Sequence, residues 1–225
     1  SGFTESFDTY SDLALWMPFT SDETPDYIDK GPIGNDGSQT TAASQPTWSS
    51  ADGGVYDFDG VDDYVTIGNP SSVQFTTAFT LISWVSSGTA TDQRIISKDD
   101  ASSNRSYADF LSSIRGYGVV VWRSGSAEVL YSNDTNIFNG AWHQFATTYD
   151  SGGLTVYVDG SQRNTSATGT AIDNDSANLE IGRRQDSAQY FDGTLGSVSL
   201  YSSALTAAQI GAIYTNTAPT YGISP

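Results

Sequence analysis

Leu154-Thr155-Val156-Tyr157-Val158-Asp159-Gly160 spells a strand running into a tight turn. Leu154, Val156 and Val158 alternate with Thr155, Tyr157 and Asp159, the period of a strand with one face against a core. Asp159-Gly160 then supplies a hairpin dipeptide, because a tight two-residue turn needs residues that tolerate positive φ. Outward from this unit, strand-like runs are expected at 13–19, 55–58, 64–67, 79–85, 94–97, 119–122, 129–131, 142–149, 179–182 and 194–201. Gly, Asp, Ser and Asn clusters separate them. Short strands with turn signals every ~8–12 residues predict an all-β sandwich or barrel.

A single helix is expected at 205–214. Leu205, Ile210 and Ile213 fall on one side, and Thr206 with Gln209 has capping-box spacing. Residues 20–48 and 99–106 read as long polar loops. The expected organisation is a flexible segment at 1–11, one domain at 12–214 and a C-terminal linker at 215–225.

The 225 residues carry 26 acidic and nine basic side chains, a net charge of −17. Such a surface repels phosphate backbones and anionic lipids, so nucleic acid is excluded as a partner. No run reaches the ~18 apolar residues that a membrane helix needs, so no membrane insertion is expected. There is no Cys, which removes disulfides, thiolate metal sites and cysteine nucleophiles. Of the acids, 22 are Asp and four are Glu (Glu5, Glu23, Glu128, Glu180). Asp favours turns and offers hard oxygen ligands, so the bias reads either as a solvated, salt-adapted surface or as Ca²⁺ sites.

Several phrases occur in a telling order. They are Leu15-Trp16-Met17-Pro18-Phe19, Phe58-Asp59-Gly60-Val61-Asp62-Asp63-Tyr64-Val65, Phe79-Thr80-Leu81-Ile82-Ser83-Trp84-Val85 and Ile96-Ser97-Lys98. Trp142-His143, Val156-Tyr157-Val158-Asp159-Gly160, Ile181-Gly182-Arg183, Phe191-Asp192-Gly193 and Ala204-Leu205-Thr206 follow. This succession, over residues 12–214, resembles the laminin-G-like, concanavalin-A-like lectin/glucanase jelly-roll domain of bacterial, archaeal and viral surface proteins. The resemblance implies two antiparallel sheets and one short C-terminal helix. That fold hosts lectins, adhesion modules, enzyme-attached binding modules and glycanases, so it does not name a ligand. The family commonly carries an acidic pair where this chain reads Gly196-Ser197. Related jelly rolls use the first of those carboxylates for a structural Ca²⁺.

Catalysis on such a scaffold needs two carboxylates flanking a glycosidic bond. No strand here carries two Glu, and Asp57 with Asp59 leads into a turn. His143, the lone histidine, reads as a strand residue rather than a base. Asp57, Asp59, Asp62 and Asp63, with Asp29 from the preceding loop, form the candidate Ca²⁺ set; the alternative is that they make turns before Tyr64. For a glycan, Trp122 and Arg123 with Tyr107 and Tyr117 are the candidate platform, and Arg183, Arg184 and Tyr190 the neighbouring loop. The alternative makes Trp122 a core residue and Arg123 a surface ion-pair partner. Trp16, Trp84 and Trp142 read as core. The triplets at Asn104, Asn133, Asn164 and Asn174 match a glycosylation pattern and read as surface turns.

The expectation is a non-catalytic recognition module for a glycan or glycoprotein at a cell, matrix or virion surface. It would be part of a larger extracellular or viral protein, with oligomeric state unspecified. A structural domain of a capsid, spike or tail fibre, and a divergent glycanase or lyase, are the alternatives.

Overall fold

A computed structural model describes residues 11–167 and 170–225. The expected flexible segment at 1–11 falls, apart from Ser11, outside the described residues. Among the described residues there are sixteen strands: β1 (Leu13–Met17), β2 (Asp26–Tyr27), β3 (Gly37–Ser38), β4 (Thr47–Ser49), β5 (Val55–Asp59), β6 (Val65–Gly68), β7 (Phe79–Ser86), β8 (Gln93–Asp99), β9 (Arg105–Ser112), β10 (Gly116–Arg123), β11 (Ser126–Tyr131), β12 (Trp142–Asp150), β13 (Gly153–Val158), β14 (Ser161–Thr165), β15 (Leu179–Ile181) and β16 (Asp192–Tyr201). The first sheet runs β14-β13-β12-β7-β16-β5-β4, with β1 also paired to β16. The second runs β11-β10-β9-β8-β15-β6-β3-β2. All named pairings are antiparallel.

The β13–β14 turn forms as its residues dictate: Asp159 and Gly160 have φ of 53° and 69°. Strands β9 and β14 go beyond the expected set, as do the short β2 and β3 inside the 20–48 loop and β4 across its end. Strand β9 opens on Arg105 and carries Asp109 in its middle, so its alternation is broken by charge.

The main core lies between the sheets. Phe79, Leu81 and Val85 of β7 and Phe145 and Tyr149 of β12 meet Tyr107, Leu111, Tyr117, Val119 and Val121 of β9 and β10. Phe79 stacks on Tyr107 at 5.2 Å and on Tyr149 at 5.6 Å; Tyr117 stacks on Phe145 at 4.7 Å. Asp109 is sealed in this layer. Its Oδ1 accepts Ile96 N–H at 2.8 Å, and its Oδ2 accepts the Tyr117 hydroxyl at 3.2 Å, which also meets Thr147 Oγ1 at 2.9 Å. Burial raises the Asp109 carboxyl to about 7.

A second layer covers the outer face of the first sheet. Helix α1 (Ala207–Thr217) starts at Thr206, whose side chain accepts Gln209 N–H in a full capping box. Its Ile210, with Leu205, packs on Leu13, Ile82, Ala146 and Tyr157. The chain beyond 214 is not a free linker. The helix continues to Thr217, and a 3₁₀ turn (Ala218–Tyr221) lays Tyr221 on Trp84 at 4.5 Å. Trp84 Nε1 donates to Thr217 Oγ1 at 2.8 Å. Trp84 is therefore buried, but beneath the tail rather than between the sheets. Trp142 sits beside Tyr221 at 4.7 Å on the same outer face, and Trp16 packs with Leu13 and Ile82 there. The Gly196-Ser197 departure has its counterpart here: a Cβ at 196 would lie 2.3–2.7 Å from the Tyr221 ring, so the tail occupies the space a side chain would need.

Candidate functional site

The outer face of the second sheet carries no helix. Alternation along the strands sends Phe110 of β9, Gly118, Val120 and Trp122 of β10, and Val129 and Tyr131 of β11 to this side. Their register is direct: Gly118 opposes Phe110 on one neighbour and Tyr131 on the other, and Val120 opposes Val129. Phe110 and Tyr131 meet edge-on at 5.7 Å across Gly118. A Cβ at 118 would come within 2.9–3.0 Å of both rings, so glycine is what lets the pair close over the strand.

Each aromatic on this face holds an arginine. The Arg94 guanidinium lies 4.7 Å from the Phe110 centroid, Arg105 5.5 Å from Trp122, Arg115 5.1 Å from Tyr131 and Arg183 3.2 Å from Tyr64. Flat guanidinium groups stack on aromatic faces and keep their in-plane N–H donors available at the rim. Carboxylates tie most of them down. Asp99 faces Arg94 at 3.9 Å and Arg105 at 3.4 Å; Arg183 grips Glu180 with Nε and Nη2 at 2.6 and 3.0 Å; Arg184 grips Asp186 at 2.8 and 2.9 Å. Gln189 Oε1 accepts from both Arg94 Nε and Arg184 Nη1 at 3.1 Å. Burial lowers the Arg94 guanidinium to about 10, which leaves it charged at neutral pH.

The structure keeps part of the candidate glycan set together and disperses the rest. Trp122, Arg183 and Arg184 belong to this face, and Tyr190 lies beside Arg183. Tyr107 and Tyr117 do not belong to it. Both point inward and are fully buried, and the Tyr107 hydroxyl donates to Val73 C=O at 2.8 Å. Arg123 also leaves the set, because neighbours on a strand face opposite ways; it pairs with Glu128 and lies 5.8 Å from Tyr149. Trp122 is only 6% exposed under Arg105, so the accessible part of the face is the Phe110–Tyr131–Val129 end. Sequence reasoning missed Arg94, Arg105, Phe110, Arg115 and Tyr131. They come from three strands, β8, β9 and β11, and from the β9–β10 turn, and only the register unites them.

Among the candidate metal ligands, Asp59, Asp62 and Asp63 place carboxylate oxygens within 4.8 Å of one another. Burial lifts the Asp63 carboxyl to about 6. Asp29 and Asp57 are engaged elsewhere. Asp29 Oδ1 accepts Trp16 N–H and Gly31 N–H, its Oδ2 accepts Asn35 N–H, and Asp57 accepts the Thr194 hydroxyl at 2.5 Å. Three carboxylates are a fraction of the six to eight oxygens Ca²⁺ takes, so carbonyls and water would complete the shell. His143 is held by Asp159 at 2.9 Å and Asn139 at 3.3 Å, which ties the β13–β14 turn to β12.

A relative in zebrafish (Danio rerio), Adhesion G-protein coupled receptor V1, is 28% identical over 150 residues, which are 63% of this chain and 2% of the receptor. The binding domain of Paraclostridial Mosquitocidal Protein 1 superposes with a TM-score of 0.70 at 12% identity, over 91% of this chain and 52% of that one. Domain 4 of AbnA, an extracellular arabinanase from Geobacillus stearothermophilus solved with arabinotriose, gives 0.69 at 16% identity, over 90% of this chain and 98% of the domain. These two likenesses establish the fold; the chain spans about half of the toxin domain and a small part of the receptor. No helix among the described residues is long and apolar enough to cross a membrane. The laminin G-type description, Concanavalin A-like lectin/glucanases superfamily, matches residues 59–211, and the chain belongs to that family.

Proposed function

We propose that the chain is a non-catalytic recognition module that binds glycans on the outer face of the second sheet. It would act at a cell, matrix or virion surface as one part of a larger extracellular protein. The observation that carries this reading is the row of arginine-stacked aromatics on the one sheet face that no helix covers. Aromatic surface stacks on the apolar side of a pyranose, and planar N–H donors and carboxylates bond its hydroxyls. The sugar-bound AbnA domain and the adhesion-receptor relative support the same reading.

The carboxyls whose pKa is raised do not form a hydrolytic pair. Asp109 is sealed in the core, Asp63 lies in a turn and Asp175 pairs with Lys98 at 3.6 Å. A glycanase needs a protonated and an ionised carboxyl across one open cleft. Ca²⁺ at Asp59, Asp62 and Asp63 is a separate part of the proposal, with the grouping of their oxygens as its support; the ion would order the β5–β6 loop and do no chemistry.

A glycan array probed with the purified chain tests the reading. Retention of a defined set of glycans, reduced about tenfold or more by Tyr131→Ala, is the expected result. An array with no retained glycan would favour the structural, assembly role, and release of reducing ends would favour the glycanase.

A further inference from the structure

Five of the nine cationic side chains, Arg94, Arg105, Arg115, Arg183 and Arg184, gather on or beside this one face. The acids paired with them are Asp99, Glu180 and Asp186. Four cations are left for the other 23 acids of the chain. A molecule of net charge −17 therefore gathers more than half of its cations where its exposed aromatics lie.

One arginine there is left free at the surface, Arg115, beside a buried one, Arg94. Arg94 is 8% exposed; its Nε and Nη2 face Gln189 and Asp99, while its buried Nη1 has no hydrogen-bond partner among the described residues. Arg115, at the tip of the β9–β10 hairpin, is exposed, rests on Tyr131 and makes no ion pair among the described residues. Both arginines stack on members of the same edge-on pair, Phe110 and Tyr131.

We infer that the glycan taken by this face carries an anionic group, a carboxylate or a sulfate ester, held by Arg115 where it rests on Tyr131. The inference rests on the reading of this face as a glycan site. A guanidinium pairs with either oxyanion through parallel N–H bonds. The surrounding acids set a limit: their repulsion reaches about 8 Å at physiological salt, so isolated charged sugars are admitted and densely charged polymers are held off.

The test is an array of sialylated, uronate-containing and sulfated glycans beside their neutral, carboxyl-reduced or desulfated counterparts. Calorimetric titration of the strongest acidic binder and its neutral twin follows, with the whole chain and with Arg115→Gln. The expected result is at least a tenfold preference for the acidic member, reduced to twofold or less by Arg115→Gln and weakened by added NaCl. The carboxyl-reduced and desulfated arms identify which oxyanion is read. Equal affinity for the acidic and neutral members, or an acidic preference untouched by Arg115→Gln, overturns the inference and leaves glycan binding standing. No retention of any glycan overturns both.

Discussion

The two outer faces of the sandwich are built from the same alternation and end in opposite states. On the first sheet, Trp84 is matched with neutral aromatics, Tyr214 at 5.7 Å and Tyr221 at 4.5 Å, and its indole N–H is satisfied by Thr217. The chain thus seals that face with its own helix and tail. On the second sheet, Phe110, Trp122 and Tyr131 are matched with arginines, which cannot be buried under a helix without stranding charge. Trp84, stacked on aromatics, is covered by the chain's own tail, whereas Phe110 and Tyr131, stacked on guanidinium groups, stay half-buried at a surface that a polar ligand can share.

The largest expected effect breaks the sealed face. Ending the chain after Tyr214 removes Thr217, Ala218 and Tyr221 and uncovers Trp84, which should cost about 3 kcal/mol or more in urea unfolding. A stability unchanged by that truncation would restore the linker reading of residues 215–225.

The next effect probes the layer that both faces share. Asp109 has its carboxyl raised from 3.8 to about 7, so the folded state holds its proton more tightly than the unfolded chain does. Its favourable contribution is complete below pH ~4 and is lost as pH rises through about 7. Asp109→Asn should therefore raise stability at pH 8 by on the order of 1–2 kcal/mol and change little at pH 4. A thermal melt across that range reads it; an equal loss at both pH values would contradict the assignment.

Smaller effects sharpen the open face. Gly118→Ala forces a methyl against Phe110 and Tyr131 and should cost about 1–2 kcal/mol by chemical denaturation, together with glycan affinity. Arg105→Gln uncovers Trp122 and should cost less than about 1 kcal/mol, the scale of an exposed cation–π contact. Smallest is the cation: a melt with Ca²⁺ against one with chelator should separate by a few degrees, and identical curves would remove Asp59, Asp62 and Asp63 as ligands.

The framework was legible because local chemistry dictates it. Asp159 and Gly160 adopt the positive φ values their turn needs, and Thr206 and Gln209 close the capping box they spell. The site was legible only in part. Every residue of β10 from Gly116 to Trp122 is buried, so hydrophobicity alone does not say which alternate set faces the other sheet. That is why Tyr117, turned inward, and Trp122, turned outward, looked like neighbours, and why Arg123 looked like a partner of Trp122. Strand β9 was hidden by Asp109, a carboxyl in the middle of a core strand. With it went Arg105 and Phe110, whose meeting with Arg94, Arg115 and Tyr131 depends on the β8-β9-β10-β11 register.

The most direct test of the account is a ¹H–¹⁵N NMR titration of the labelled chain with the oligosaccharide that the array retains most strongly. Shifts concentrated on Phe110, Arg115, Gly118, Val129 and Tyr131, with the Trp84 indole unmoved, are the predicted result. Shifts confined to the small cleft where Trp16, Gly53 and Thr220 meet Tyr221 under the tail would place the ligand on the sealed side and contradict it.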